Sequence, residues 1–187
     1  MKRKYFSWLL APIASMMFLQ TSCDDGSERY STEYRCQFVF NTNTHITSIL
    51  TRTLDNPGSF ALVKMRTEKG IKVLDIQSNN GKDKETIYMT TVEENQMTGS
   101  LGANNCIIVG CTNFNGMAAF DGQCPNCLAN YTSQNFPLTW CENGQKVSCA
   151  KCGKIYELHY EGRTDEGKRL IEYRVRYDGN RLTVTNN

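Results

Sequence analysis

Histidine is scarce in this sequence, which has only His45 and His159 among its 187 residues. A G-x-G-x-x-G turn that opens a helix, a phosphate-binding loop, a nucleophile elbow and an internal repeat are also missing. Without these patterns, and without alternating strands and helices, the sequence argues against a doubly wound enzyme fold. No catalytic base or nucleophile is identifiable, so the sequence favours a protein that is not an enzyme.

Runs of lysine and arginine are absent beyond the first few residues. The whole chain has 21 Lys and Arg against 19 Asp and Glu, and removal of Lys2, Arg3 and Lys4 would leave 18 basic against 19 acidic residues. Nucleic-acid-binding domains carry a clustered basic surface, which this chain lacks. We therefore expect no nucleic-acid partner.

A second long apolar run is likewise missing, and the one present lies at the N-terminus. Residues 1–22 read MKRKYFSWLLAPIASMMFLQTS, with a basic start, an apolar stretch and small residues before Cys23. This is the layout of a secretion signal. The apolar stretch is marginal for a membrane-spanning helix, which needs about 20 residues. We predict a signal peptide over residues 1–22.

Cys23 and the residues before it resemble the cleavage and lipidation site of bacterial lipoproteins, although Gln20 occupies the place that leucine normally holds. The resemblance implies lipidation of Cys23 and anchoring to a membrane of the bacterial cell envelope, with the outer membrane expected. Asp24 and Asp25 resemble a surface-display signal of Bacteroidetes-type bacteria, and the face of the membrane stays open. The alternative is an ordinary cleaved signal with a free Cys23.

The rest of the chain predicts one all-β domain behind a short tether. Residues 23–33 are polar and predict a flexible tether, and residues 34–187 predict a single domain. Short apolar and β-branched runs separated by turn residues predict antiparallel strands. These runs are YRCQFVF, PGSFALVKM, IKVLDIQ and ETIYMTTV.

The last segment predicts a β-hairpin. Apolar and aromatic residues alternate with charged ones before a turn at residues 178–180, and Leu182 and Val184 follow. Alternation of period two places one set on a buried face and the other in solvent. The buried set is Ile171, Tyr173, Val175 and Tyr177. One or two helical turns are expected over residues 45–54, with Ile46, Ile49 and Leu50 on one side.

Two C-x-x-C pairs form the strongest functional signal. They are Cys124 and Cys127 in CPNC, and Cys149 and Cys152 in CAKC. Two tight turns that each present two thiolates are typical of a tetrahedral metal site, and backbone N–H groups of such turns can donate to the sulfurs. Gly153 supports the second turn, because glycine accepts a positive φ at no steric cost.

Two other uses of the cysteines stay open from the residues alone. C-P-x-C resembles the glutaredoxin active site, in which the pair opens a helix whose dipole lowers the thiol pKa. The residues after the first pair, LANYTSQNFPLTW, predict no such helix. A disulfide framework is the other use, because an exported chain can oxidise an even set of cysteines. That set is Cys36, Cys106, Cys111 and Cys141, for which pairing and free buried thiols are both open.

The order of elements from Cys106 to Val184 resembles that of Rieske-type iron–sulfur domains. The segments CIIVGCTNFNGMAAFDGQCPNC, VSCAKCGKIYELHYEG and LIEYRVRYDGNRLTVTN match the first ligand loop, the second ligand loop and the closing hairpin. CQFVFNTNTHITSIL, PGSFALVK and SLGANNCIIVG are similar to parts of small Rieske-like lipoproteins of Bacteroidetes. The resemblance implies an antiparallel Rieske-like sandwich with both loops, within residues 118–158, at one tip.

The ligand set departs from the Rieske pattern. A Rieske centre binds one iron through two cysteines and the other through two histidines. In this chain Asn126 and Cys152 stand at the histidine positions, and both histidines lie outside the loops. Four thiolates suit a structural Zn²⁺ and also a [2Fe–2S] cluster.

The C-x-x-C-G pattern favours one zinc ion in a structural role. Electron transfer by a [2Fe–2S] cluster is the alternative, and thiol–disulfide exchange at Cys124 and Cys127 is the weakest reading. His159 is expected to be an ordinary surface or packing residue on the strand after the second pair. No residue can be assigned to a protein or glycan partner.

Overall fold

The computed structural model of the protein describes residues 29–186. The predicted signal peptide and its lipidation residue, Cys23, lie outside these residues. The strands are β1 (Gln37–Asn41), β2 (Phe60–Glu68), β3 (Ile71–Ser78), β4 (Lys84–Tyr88), β5 (Cys106–Cys111), β6 (Met117–Asp121), β7 (Leu138–Cys141), β8 (Lys146–Cys149), β9 (Ile155–Glu157), β10 (Glu172–Tyr177) and β11 (Arg181–Thr185). The helices are α1 (Ile49–Leu54), α2 (Val92–Met97) and α3 (Pro125–Asn130), with a 3₁₀ turn at Glu142–Gly144.

The strands form two antiparallel sheets, which confirms the predicted all-β, antiparallel class. The larger sheet has eight strands in the order β1-β11-β10-β6-β5-β2-β3-β4, and the smaller has three in the order β7-β8-β9. Every strand pair between neighbours is antiparallel. The particular Rieske-like sandwich that the resemblance implies remains a prediction.

Two cores share the central strands of the larger sheet. On β5, Ile107 belongs to the main core and Ile108 to a second core, because successive side chains of a strand point to opposite faces. The second core joins Ile108 to Val147 and Tyr156 of the smaller sheet. Each fully buried aliphatic side chain contributes about 1.5–3 kcal/mol relative to an exposed one. The smaller sheet is therefore held on one face of the larger sheet by apolar packing.

The predicted C-terminal hairpin is confirmed. Tyr177 pairs with Leu182 across the turn, and Gly179 has φ +90°. The Asp178 carboxylate accepts the backbone N–H groups of Asn180 and Arg181 at 2.9 and 2.8 Å. The turn residues thus satisfy their own backbone donors, as expected where Asp begins a tight turn.

Glu172 departs from the predicted alternation, because it is buried although it lies among the charged residues of the hairpin. Its carboxylate accepts from Arg29, with Nη2 at 2.8 Å from Oε1, and its backbone carbonyl accepts from the N–H of Ser31 at 3.0 Å. A buried carboxylate needs such a partner. Arg29 and Ser31 therefore contact the domain, and the flexible tether over residues 23–33 remains a prediction.

The helices in the described part of the chain are short. The predicted turn at residues 45–54 is α1, which begins after Ser48, whose Oγ accepts the N–H of Leu50 at 3.1 Å. Ile49 and Leu50 are both buried by the helix, whereas Ile46 precedes the N-cap and is 71% exposed, so the prediction that it shares their side of the helix is wrong. Within residues 29–186, no helix has the length and apolarity needed to cross a membrane.

Candidate metal centre

The two C-x-x-C pairs meet at one place in the fold. The Sγ atoms of Cys124, Cys127, Cys149 and Cys152 all lie within 4.8 Å of one another. The sulfurs of Cys124 and Cys152 are 3.6 Å apart, and those of Cys127 and Cys149 are 3.7 Å apart. Both close contacts run between the two pairs, so the four sulfurs form one compact group.

The first pair lies at the start of α3. Cys124 is the N-cap of this helix and Pro125 follows in its first turn, where the fixed φ of proline favours a helix. The prediction that no helix follows Cys124 is therefore wrong. The helix has only six residues and buries a short face that includes Leu128, so no sustained apolar stripe marks it in the sequence.

The second pair lies at the end of β8 and in the turn that follows it. The N–H of Gly153 donates to the carbonyl of Cys149 at 2.8 Å, and the N–H of Cys149 donates to the carbonyl of Lys154 at 2.9 Å. Gly153 has φ +71°, which confirms the predicted conformation. A Cβ at this position would meet no atom within 4 Å, so the backbone angle alone favours glycine.

The four cysteines differ in exposure. Cys124, Cys127 and Cys149 are 0%, 1% and 2% exposed, whereas Cys152 is exposed. Lys151 and Gly153 beside it are exposed as well. The site is therefore covered by protein on the side of α3 and meets solvent at the turn after β8.

The pKa values of these thiols shift in different directions. Burial raises the pKa of Cys124, although hydrogen bonds from the hydroxyl of Tyr156 and from the N–H of Cys127 act to lower it. Burial also raises the pKa of Cys127. At Cys152 burial acts in the same direction, but hydrogen bonds from the N–H of Lys154 and from the neighbouring thiols lower its pKa. Since a metal binds thiolates, loading this site releases protons.

A hydrogen-bond network surrounds the first pair. The hydroxyl of Tyr156, which is fully buried, lies 3.1 Å from the Sγ of Cys124 and accepts the Nδ2–H of Asn126 at 2.8 Å. The amide of Asn126 also bonds both backbone groups of Lys168, each at 3.0 Å. Asn126, which the sequence resemblance places at a Rieske histidine position, is therefore a supporting residue that lies outside the sulfur cluster.

The sequence does not mark Lys168 as a residue of the site. It lies 42 positions from Asn126, and no pattern in the chain marks this contact before the fold is known.

His159 lies outside the sulfur cluster. It is buried, its Nδ1 accepts the N–H of Asn113 at 3.2 Å and its Nε2 is 2.6 Å from Oε1 of Gln145. Burial lowers the pKa of its imidazole. It packs against Phe60 with ring centroids 5.4 Å apart, as expected of a packing residue, but it lies in the turn after β9 and not on a strand.

The cysteines in the described part of the chain form no disulfides. All eight cysteines there are unpaired, including the four outside the cluster. Cys36 and Cys106 are buried, and burial raises the pKa of each to about 12. They are small apolar core residues in this structure.

Comparison of the chain with protein-family models, with curated proteins and with solved structures gives no match in any of the three. The resemblance to Rieske-type domains stays a prediction from the sequence.

Proposed function

We propose that this chain is a lipid-anchored envelope protein in which Cys124, Cys127, Cys149 and Cys152 hold one structural zinc ion. The observation that carries the proposal is the spacing of the sulfurs. With Zn–S bonds of about 2.3 Å, the sulfurs of a tetrahedral site are about 3.8 Å apart. The two closest pairs here are 3.6 and 3.7 Å apart, and all four sulfurs lie within 4.8 Å of one another.

The ligand chemistry supports a structural role. Four thiolates fill a tetrahedral ion completely, and a zinc ion without an open position activates no water. The ion would join the start of α3 to the turn after β8, which come from different parts of the second core. The hydroxyl of Tyr156 and the N–H groups of Cys127 and Lys154 would orient the thiolates and share their charge.

A [2Fe–2S] cluster for electron transfer is the second candidate, and the Rieske-like order of elements supports it. In such a cluster the ligand pairs belong to different irons, so sulfurs on different irons lie further apart than sulfurs on one iron. The single compact group of sulfurs favours one ion. A Rieske-like fold would be compatible with either metal.

Metal analysis and a visible absorption spectrum of the chain purified without oxygen test the two candidates. A colourless protein with one equivalent of zinc is expected. A brown protein with two irons would favour the [2Fe–2S] cluster over zinc. A metal-free protein with a disulfide between Cys124 and Cys127 would overturn both and favour thiol–disulfide exchange.

The proposed anchor rests on the sequence before the described residues. Arg29, which is bound to Glu172, is six positions after Cys23, so the domain would lie within about 20 Å of the lipidated residue even with an extended chain. Incorporation of labelled fatty acid should disappear in Cys23→Ala and persist in Cys141→Ala. Labelling that survives in Cys23→Ala would refute lipidation at this residue.

A further inference from the structure

We propose that Cys152 is the residue at which hydroperoxides oxidise the metal centre, and that the product is a disulfide between Cys152 and Cys124. This inference rests on the proposed zinc site, since it describes how that site is opened. It distinguishes Cys152 and Cys124 from the other two ligands, which the ligand set alone does not.

Accessibility selects Cys152 as the first sulfur to react. A peroxide must reach the sulfur from water, and thiol oxidation follows exposure and thiolate character. Cys124, Cys127 and Cys149 are at most 2% exposed, whereas Cys152 lies in a run of four exposed residues, 150–153. Metal coordination would make all four sulfurs thiolates, so exposure remains as the difference among them.

Distance selects Cys124 as its partner. The Sγ atoms of Cys124 and Cys152 are 3.6 Å apart, and a disulfide needs about 2.05 Å. The remaining approach falls on the exposed turn, where a Cβ on Gly153 would meet no atom within 4 Å. A disulfide within either C-x-x-C pair would close a four-residue ring, and the two close sulfur contacts, at 3.6 and 3.7 Å, both run between the pairs and not within one.

The chemistry balances in two steps. The Cys152 thiolate attacks the peroxide, the O–O bond breaks, and sulfenic acid and hydroxide form when the oxidant is hydrogen peroxide. The Cys124 thiolate then attacks the Cys152 sulfur, the S–S bond forms and the second hydroxide leaves. Two thiolates lose one electron each, and the peroxide gains both electrons and takes up protons to give two molecules of water.

Loss of the ion follows from the ligand count. Only Cys127 and Cys149 would remain as thiolates, and a structural zinc site needs four ligands. The new disulfide would then hold the same two loops together in place of the ion. Reduction of the disulfide by a thiol would restore the site, because a disulfide is reversible by exchange.

The test uses the full chain, loaded with zinc and treated with stoichiometric hydrogen peroxide. Zinc release is followed with a chromophoric chelator, and disulfides are mapped by mass spectrometry of peptides under non-reducing conditions. We expect release in step with one new disulfide, Cys124–Cys152, and reloading after dithiothreitol. On the untreated zinc-loaded chain, N-ethylmaleimide should modify Cys152 before the other three ligands.

Two variants sharpen the result. Cys152→His keeps a four-ligand zinc set in which the exposed position resists peroxide, so release should slow by about tenfold or more. Cys141→Ser, which removes a half-buried thiol outside the cluster, should release zinc like the unaltered chain. If Cys152→His binds no zinc, the disulfide map and the order of maleimide labelling in the unaltered chain show whether Cys152 reacts first.

Specific outcomes would overturn the inference. A first disulfide within Cys124–Cys127 or Cys149–Cys152, first labelling of a buried ligand, or a zinc-loaded chain that keeps its ion after oxidation would each contradict it and leave the zinc site standing. A chain that contains no zinc before oxidation would refute the proposed function itself.

Discussion

The hydroxyl of Tyr156 lies between the Sγ of Cys124, at 3.1 Å, and the Nδ2 of Asn126, at 2.8 Å. Asn126 donates to the hydroxyl oxygen, so the proton of the hydroxyl is left to donate to the sulfur. The tyrosine is fully buried, and water does not compete for this bond. A charged thiolate accepts a hydrogen bond more strongly than a neutral thiol. The contact therefore stabilises the metal-binding form of Cys124.

Tyr156→Phe should weaken the metal site without removing a ligand. The variant loses the bond to the thiolate and leaves one N–H of Asn126 without this partner, while the ring still fills the second core. Loss of such an outer contact typically lowers metal affinity by about 10- to 100-fold. Competition of the zinc-loaded chain with a chelator of known affinity measures the change.

Tyr160→Phe is the matched control, because Tyr160 is 54% exposed and lies four residues further along the chain. It should bind zinc like the unaltered chain. Equal affinity of Tyr156→Phe and Tyr160→Phe would show that the hydroxyl of Tyr156 does not support the site.

Gly167→Ala should disturb the residue that holds Tyr156. A Cβ on Gly167 would lie 2.4 Å from the Oδ1 of Asn126, and Gly167 has φ +97°. The substitution therefore strains the backbone and also displaces the amide of Asn126. Gly179→Ala has a similar strain at φ +90°, but its Cβ would meet no atom within 4 Å. Urea unfolding should show a larger loss for Gly167→Ala, by about 1–2 kcal/mol; equal losses would mean that Asn126 yields freely.

Local sequence patterns predicted the features of this fold that depend on neighbouring residues. The alternation around residues 178–180 predicted β10 and β11, since one buried face fixes the register of a hairpin. The spacing of the four cysteines predicted the cluster, because short turns bring each pair to one side. Gly153 marked the second turn through its positive φ.

Features that depend on distant partners were missed or misjudged. The alternation of the hairpin predicts that the charged Glu172 lies in solvent. Glu172 is buried instead, because Arg29, 143 positions away in the chain, pairs with it. The helix after Cys124 was missed, because six residues leave too short a period to detect. The link between Asn126 and Lys168 exists only through the tertiary fold.

Asp121 should make the stability of the domain depend on pH. Its carboxylate accepts from the hydroxyl of Tyr173 and the N–H of Ala103, both at 2.7 Å, and from the N–H of Gln123 at 2.8 Å. Burial outweighs these three bonds and raises the pKa of Asp121 to about 6. The folded state then holds the proton more tightly than the unfolded chain, whose carboxyl keeps its ordinary pKa of 3.8.

The sign of the effect follows from this order of the two pKa values. Between about pH 4 and pH 6 the folded state binds more protons, so the contribution of Asp121 to stability falls as pH rises, by up to about 3 kcal/mol. Urea unfolding of the unaltered chain and of Asp121→Asn from pH 4 to pH 7 measures it: the unaltered chain should lose stability relative to the variant with rising pH. A constant difference would show that the hydrogen bonds hold the carboxyl at its ordinary pKa.

Asp178 provides a control of opposite sign. Hydrogen bonds from the N–H groups of Asn180 and Arg181 lower the pKa of this exposed carboxyl. Its contribution is therefore present above the ordinary pKa and is lost as pH falls through the lowered one. Relative to Asp178→Asn, the unaltered chain should lose stability with falling pH, below about pH 4.

Removal of the metal should loosen the site and leave the larger sheet in place. The four ligands come from the start of α3 and from the end and following turn of β8, whereas β2 and β3 pair over eight residues without contributing a ligand. Hydrogen exchange of the chelator-treated, reduced chain should rise in residues 124–131 and 146–157 and stay unchanged in β2 and β3, since local opening reflects local contacts. A rise of equal size in both sheets would mean that the ion supports the whole fold. No change in either region would mean that apolar packing of Val147 and Tyr156 holds the loops without metal, and that the cysteines serve another purpose.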